Sequence, residues 1–89
     1  EDNLIQVDFN ENVVCGKGKP SNEVKFHLAI YKRRPDMKAI LHVHSPYATA
    51  FAIVGRTPRI ATVDAKAFLG KVPLVKYAPP GSQRLAKLV

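Results

Sequence analysis

Ala39-Ile40-Leu41-His42-Val43-His44-Ser45-Pro46 is the stretch on which the reading of this chain turns. Ala39 to Ser45 is predicted to be a strand with apolar side chains on both faces, as at the centre of a sheet. Side chains alternate along a strand, so Ala39, Leu41 and Val43 point one way while Ile40, His42 and His44 point the other. Two histidines at i and i+2 on one face bring their imidazoles near enough to share a metal ion, and neutral ring nitrogens suit zinc or another late divalent metal. The spacing alone is weak, because a surface pair or a hydrogen-bonded core pair satisfies it equally well. On a strand this apolar, however, two inward-facing imidazoles need partners, and a metal is one.

Beyond the strand, Ser45 and Pro46 supply an N-cap and a proline at the first helical position. Tyr47 to Val54 is then a short helix ended by Gly55. Ile60 to Val63 and Val72 to Tyr77 are further strand candidates, and Pro79-Pro80-Gly81 is a rigid turn. Ser82 caps a last helix, with Leu85, Leu88 and Val89 at i, i+3 and i+4.

Before the strand, the apolar runs Leu4 to Asp8 and Val13 to Cys15 flank Asn10-Glu11-Asn12, a hairpin pattern. Gly16-Lys17-Gly18-Lys19-Pro20 is a loop. Ser21 or Asn22 caps the next helix, and Glu23 falls in its first turn, where a carboxylate suits the helix dipole. Val24, His27, Leu28 and Tyr31 form its apolar stripe, widened by Phe26, Ala29 and Ile30. Arg33 and Arg34 suit its C-terminus, and Pro35 stops it. The mixture is α/β or α+β, with strands too closely spaced for uniform βαβ units.

The 89 residues allow one domain at most, with a smaller buried share than a larger domain has. An apolar fraction of 46% and a charged fraction of 24% are those of an ordinary globular chain. No run approaches the 18 or so apolar residues of a membrane span and no secretory signal is visible. The single cysteine, Cys15, cannot form an internal disulfide. A lone cysteine fits a reducing compartment. The chain opens on Glu1, its one methionine is Met37, and the last helix stops without a capping signal, so both ends read as cut. The formal net charge of +7 invites a nucleic-acid reading. Only Lys32-Arg33-Arg34 forms a run, and no zinc-finger, helix-turn-helix or aromatic RNA-binding pattern accompanies it. A solvated basic surface is the better reading; a basic chain also suits anionic sugar phosphates.

Among the remaining candidates, Glu23 by itself is a helix-start carboxylate, and His27, one turn on, reads as a packing residue. Gly16 to Ser21 superficially suggests a phosphate loop but lacks the glycine spacing and the Ser or Thr directly after Gly-Lys that a P-loop requires. Ser21, at a helix start, can still bind phosphate through its hydroxyl and the free N–H groups. Tyr31, Tyr47 and Tyr77 suit either core or site. Nothing singles out a nucleophile.

Taken in order, Lys19-Pro20-Ser21-Asn22-Glu23, Phe26-His27 with Tyr31, Arg34-Pro35-Asp36 and His42-Val43-His44-Ser45 resemble the class II aldolase/adducin family. The likeness runs from about Leu4 to the chain end and is densest between Gly18 and Ala52. It implies an α/β/α layered domain with a mainly antiparallel central sheet, of which residues 1–89 are one part, truncated at both ends. It implies His42 and His44 as two ligands of a zinc or other divalent ion, Glu23 as the acid–base residue, and Ser21 with Asn22 at the substrate phosphate. The implied activity, L-fuculose-1-phosphate aldolase-like, cleaves a ketose phosphate to dihydroxyacetone phosphate and an aldehyde, in a homo-oligomer, a tetramer by resemblance. The alternatives are an L-ribulose-5-phosphate 4-epimerase-like enzyme, which usually has Asp where Glu23 stands, and a non-catalytic adducin-like interaction module. Asn22 stands where the family commonly has a second serine, and no histidine follows His44 to serve as the family's third ligand. The isolated chain is therefore expected to be inactive.

Overall fold

An aspartate closes the N-terminal hairpin. In the computed structural model, which describes residues 4–89, β1 (Gln6–Val7) pairs antiparallel with β2 (Val13–Cys15). Gln6 lies opposite Cys15 and Val7 opposite Val13, with a register irregularity between Gln6 and Val7. One carboxylate oxygen of Asp8 accepts the N–H groups of Asn10 and Asn12 at 2.8 and 2.9 Å, and the other accepts the side-chain amide of Asn12 at 2.9 Å. An aspartate bonding the backbone two residues on is the Asx turn that favours this residue at loop starts. Only the first three residues of the expected 1–89 domain lie outside the described residues.

The chain divides into two compact units, one of residues up to Ile40 with Lys76–Val89, the other Leu41–Val75. In the first unit, α1 (Val24–Arg33) packs against α4 (Gln83–Leu88). The buried residues Phe26, Ala78 and Ala86 all belong to this unit. The expected stripe of Val24, His27, Leu28 and Tyr31 is only half-buried. Phe26, expected at the margin of that face, is the residue α1 buries, because α4 meets the helix on that side.

The N-terminus of α1 differs from expectation by one or two residues. Neither Ser21 nor Asn22 is the N-cap; Glu23 holds that position without a side-chain cap bond. The Ser21 hydroxyl oxygen instead accepts the Glu23 N–H at 3.2 Å, and the Ser21 carbonyl accepts the Val24 N–H at 3.0 Å. Serine has thus satisfied a turn ahead of the helix, a competing use of the same hydroxyl. At the other end, Arg34 donates its N–H to the Ile30 carbonyl at 2.7 Å, and its guanidinium forms a two-pronged pair with Asp36 at 2.9 and 2.7 Å. Lys32 donates to the Phe9 carbonyl at 2.9 Å, with its ammonium 5.8 Å from the centre of the Phe9 ring, tying α1 to the hairpin loop. In α4, Ser82 caps as expected, accepting the Leu85 N–H at 3.1 Å.

The second unit holds α2 (Pro46–Ile53) and α3 (Val63–Phe68). Ser45 caps α2, accepting the Ala48 N–H at 3.4 Å, with Pro46 in its first turn. Gly55, at φ 69°, closes it: the N–H of Gly55 bonds the Ala52 carbonyl and that of Arg56 the Phe51 carbonyl. This is the paired pattern of a Schellman end, where glycine takes the left-handed residue.

The three expected strands downstream of α1 do not form. Ala39 to Ser45 is irregular, with Leu41 and Val43 86% and 63% exposed. A strand is completed by a neighbour's hydrogen bonds, and among the described residues the one sheet is β1–β2. Val72 to Tyr77 is irregular for the same reason. Ile60 to Val63 is overridden locally, because the Thr62 hydroxyl accepts the Ala65 N–H at 3.2 Å and starts α3. A small antiparallel sheet with helices is compatible with α/β.

The bonds from the Asn12 side chain and then its backbone hold the Asp8 carboxyl below the ordinary aspartate value of 3.8. A lower pKa in the folded state means that the turn's stabilisation is present above that ordinary value and is lost as pH falls through the folded one. A carboxyl NMR titration should place the Asp8 midpoint below 3.8 and move it up in Asn12→Ala. A midpoint indifferent to Asn12→Ala would contradict this turn.

Candidate functional site

The residues singled out from the sequence fall into two groups, one on each unit. On the first unit, Ser21, Asn22 and Glu23 form the turn that leads into α1. Because the Ser21 oxygen accepts the Glu23 N–H, its own hydroxyl hydrogen remains available to donate. Ser21 and Asn22 line a pocket of about 520 Å³ with Glu11, Lys19, Lys25 and Gly81. Glu23 adjoins this pocket in sequence and is half-buried, but does not line it. Gly81 brings its backbone against the turn: a Cβ there would lie 2.8 Å from the Asn22 carbonyl oxygen, and its φ of 68° is in the left-handed region.

Lys19, Lys25 and Glu11 were not among the candidates from sequence. The two lysines flank Pro20 to Val24 directly, so local charge around the serine was a usable signal. Glu11 arrives by the hairpin turn, at a φ of 70°, and nothing in its local sequence marks it. His27 behaves as a packing residue, as expected. Its ring lies 4.4 Å from that of Phe26, and it lines a small pocket of about 210 Å³ with Ile5, Val7, Pro20 and Val24. Tyr47 and Tyr77 are exposed and Tyr31 is half-buried, so none of them is core.

On the second unit, the His42 and His44 rings lie with centroids 5.0 Å apart, tilted by 39°. Both residues are exposed, which corrects the expectation that they face inwards: with no flanking strand there is no interior for them to face. Two imidazoles are nevertheless donors of the type that zinc takes. Zinc–nitrogen bonds of about 2.0–2.1 Å at a tetrahedral angle put two imidazole centroids roughly 5 Å apart, which is the spacing seen. Among the described residues no group of three or more His, Cys, Asp and Glu side chains is gathered to hold a metal. The pair on its own is short of the three protein ligands that catalytic zinc sites use.

Comparison with known proteins gives a consistent picture. The family described as class II aldolase and adducin N-terminal domain matches residues 1–89. An L-fuculose phosphate aldolase of Methanococcus vannielii is 37% identical over 89 residues, covering 100% of this chain and 48% of its own length. Another from Methanocaldococcus jannaschii is 38% identical over 87 residues, 98% of this chain and 47% of that protein. An L-ribulose-5-phosphate 4-epimerase of Salmonella typhi is 37% identical over 76 residues, 84% of this chain and 33% of that protein. The chain thus spans about half the length of the aldolases it matches, or less for the epimerase. No solved structure matches.

Gly81→Ala is expected to cost about 1–2 kcal/mol for the left-handed backbone alone and to displace the Ser21–Asn22 turn. Chemical denaturation should register the loss, and amide shifts at Ser21 to Val24 the displacement. An unperturbed turn in that variant would contradict the contact.

Proposed function

Because the chain belongs to the class II aldolase and adducin family, we propose that it carries part of the active site of a zinc-dependent aldolase. The reaction is the cleavage of a ketose phosphate to dihydroxyacetone phosphate and an aldehyde. The observation that supports this reading is the match of the whole of this chain to about half of L-fuculose phosphate aldolases, in a chain that carries Glu23, His42 and His44. In the longer protein these parts sit in an α/β/α layered domain with a mainly antiparallel sheet, assembled as a cytoplasmic homo-oligomer, a tetramer. Among the described residues no helix is long and apolar enough to cross a membrane.

Each side chain has a task in that reaction. His42 and His44 hold the divalent ion, with further ligands from outside this chain. When bound, the ion supplies Lewis-acid polarisation of the substrate carbonyl. Cleavage breaks the C3–C4 bond; the C4 hydroxyl loses its proton and becomes the aldehyde, while C3 gains one. Glu23 moves the proton at C3, a general acid–base role. The Ser21 hydroxyl and the Asn22 amide hold the phosphate, so that remote binding fixes the sugar against the carboxylate.

The nearest alternative is a 4-epimerase, favoured by the likeness to the Salmonella enzyme; it shares the bond cleavage, but Glu23 stands where those enzymes usually have Asp. An adducin-like interaction module without catalysis is the third reading, and the retained Glu23, His42 and His44 speak against it. The full-length protein given L-fuculose 1-phosphate should release dihydroxyacetone phosphate, and Glu23→Gln should lower kcat by roughly 10²–10⁴-fold with metal content unchanged. The isolated 89-residue chain should show no turnover. Epimerisation of L-ribulose 5-phosphate without cleavage would replace the aldolase reading, and inertness toward both sugars would favour the interaction module.

A further inference from the structure

We infer that Lys19 and Lys25 are the charge-selecting residues of the pocket that Ser21 and Asn22 line, so that the pocket takes a phosphorylated sugar and discriminates against a neutral one. The inference rests on the sugar-phosphate reading and adds to it which residues make the choice.

Ser21 and Asn22 offer a hydroxyl and an amide, both neutral donors. Such donors bond an ionised phosphate more strongly than a sugar hydroxyl, and cationic side chains in the same pocket add a Coulombic preference for the anion. Lys19 and Lys25 line the same volume of about 520 Å³. They approach from opposite ends of the turn, one before Pro20 and one in the first turn of α1. Neither ammonium is engaged in an ion pair among the described residues. Two other cations of this unit are committed elsewhere: Arg34 to Asp36, and Lys32 to the Phe9 carbonyl and ring. Lys19 and Lys25 thus line one pocket without an ion-pair partner among the described residues.

Glu11 lines that pocket too, and its carboxylate opposes any anion. Two lysines against one glutamate leave one net positive charge from side chains. That balance favours an anion while keeping its hold reversible, and it gives the three positions opposite signs of effect. Lysine removal weakens anion binding, glutamate neutralisation tightens it, and both effects fade as salt screens them. Ser21, acting through a hydrogen bond, affects binding with little dependence on salt.

The test is titration of inorganic phosphate into the full-length protein by calorimetry, at low and high ionic strength, with Lys19→Gln, Lys25→Gln, Glu11→Gln and Ser21→Ala beside the wild type. Lys19→Gln and Lys25→Gln should each weaken binding at low salt by roughly 3- to 10-fold and flatten its salt dependence. Glu11→Gln should tighten binding by a similar factor, and Ser21→Ala should weaken it while leaving the salt slope as in the wild type. In turnover, the lysine variants should raise KM for the sugar phosphate with kcat unchanged. Wild-type phosphate affinity in both lysine variants would overturn the inference and leave the sugar-phosphate reading standing. Absence of phosphate binding by the wild type would overturn both at this pocket.

Discussion

The packing of α1 on α4 is what the rest of the first unit depends on. Phe26, Ala78 and Ala86 are buried there, and the second unit has no residue that reaches the same burial. Burying a phenylalanine side chain contributes about 1.5–3 kcal/mol, so a single aromatic is a large part of what holds these elements together. The turn at Ser21 to Glu23 is suspended from this packing. Ser21 to Glu23 lead directly into α1, and Gly81, just before α4, presses on the Asn22 carbonyl from the other side. The segments that line the Ser21–Asn22 pocket therefore adjoin the two helices that pack together. Lys32 extends the arrangement to the hairpin loop, which brings Glu11 to the pocket.

What was legible in the sequence was what residues decide locally. The hairpin around Asn10 to Asn12, the helix ending before Pro35, the Ser45–Pro46 start and the Gly55 stop are all written in capping and turn chemistry acting within a few residues. The strands assigned to Ala39–Ser45 and Val72–Tyr77 were not decidable that way, because their completion depends on a neighbour that apolar composition does not supply. At Thr62 a local signal decides: a threonine three residues before Ala65, with Asp64 in the first turn, starts a helix and outweighs the β-branched run.

The candidate site divides along the same line. That His42 and His44 share a side of the chain follows from their spacing alone, and their rings do lie close. Their burial did not follow, since it depended on the sheet. Ser21 was legible as a helix-start residue, yet its hydroxyl serves a turn one step earlier, which makes Glu23 the N-cap position. Lys19 and Lys25 were visible as charges, but only the folded turn gives them a common pocket with Glu11. The Arg34-Pro35-Asp36 motif turns out to be a structural closure of α1, its guanidinium holding the Asp36 carboxyl below the ordinary carboxylate range.

We propose that the two exposed imidazoles of His42 and His44 are ligands of one divalent ion. Elemental analysis after dialysis, on the full-length protein and on His42→Ala, tests it most directly. Zinc or another divalent metal should be found near one per chain in the first and be absent from the second. Equal metal content in the two proteins would contradict it, and so would its absence from both.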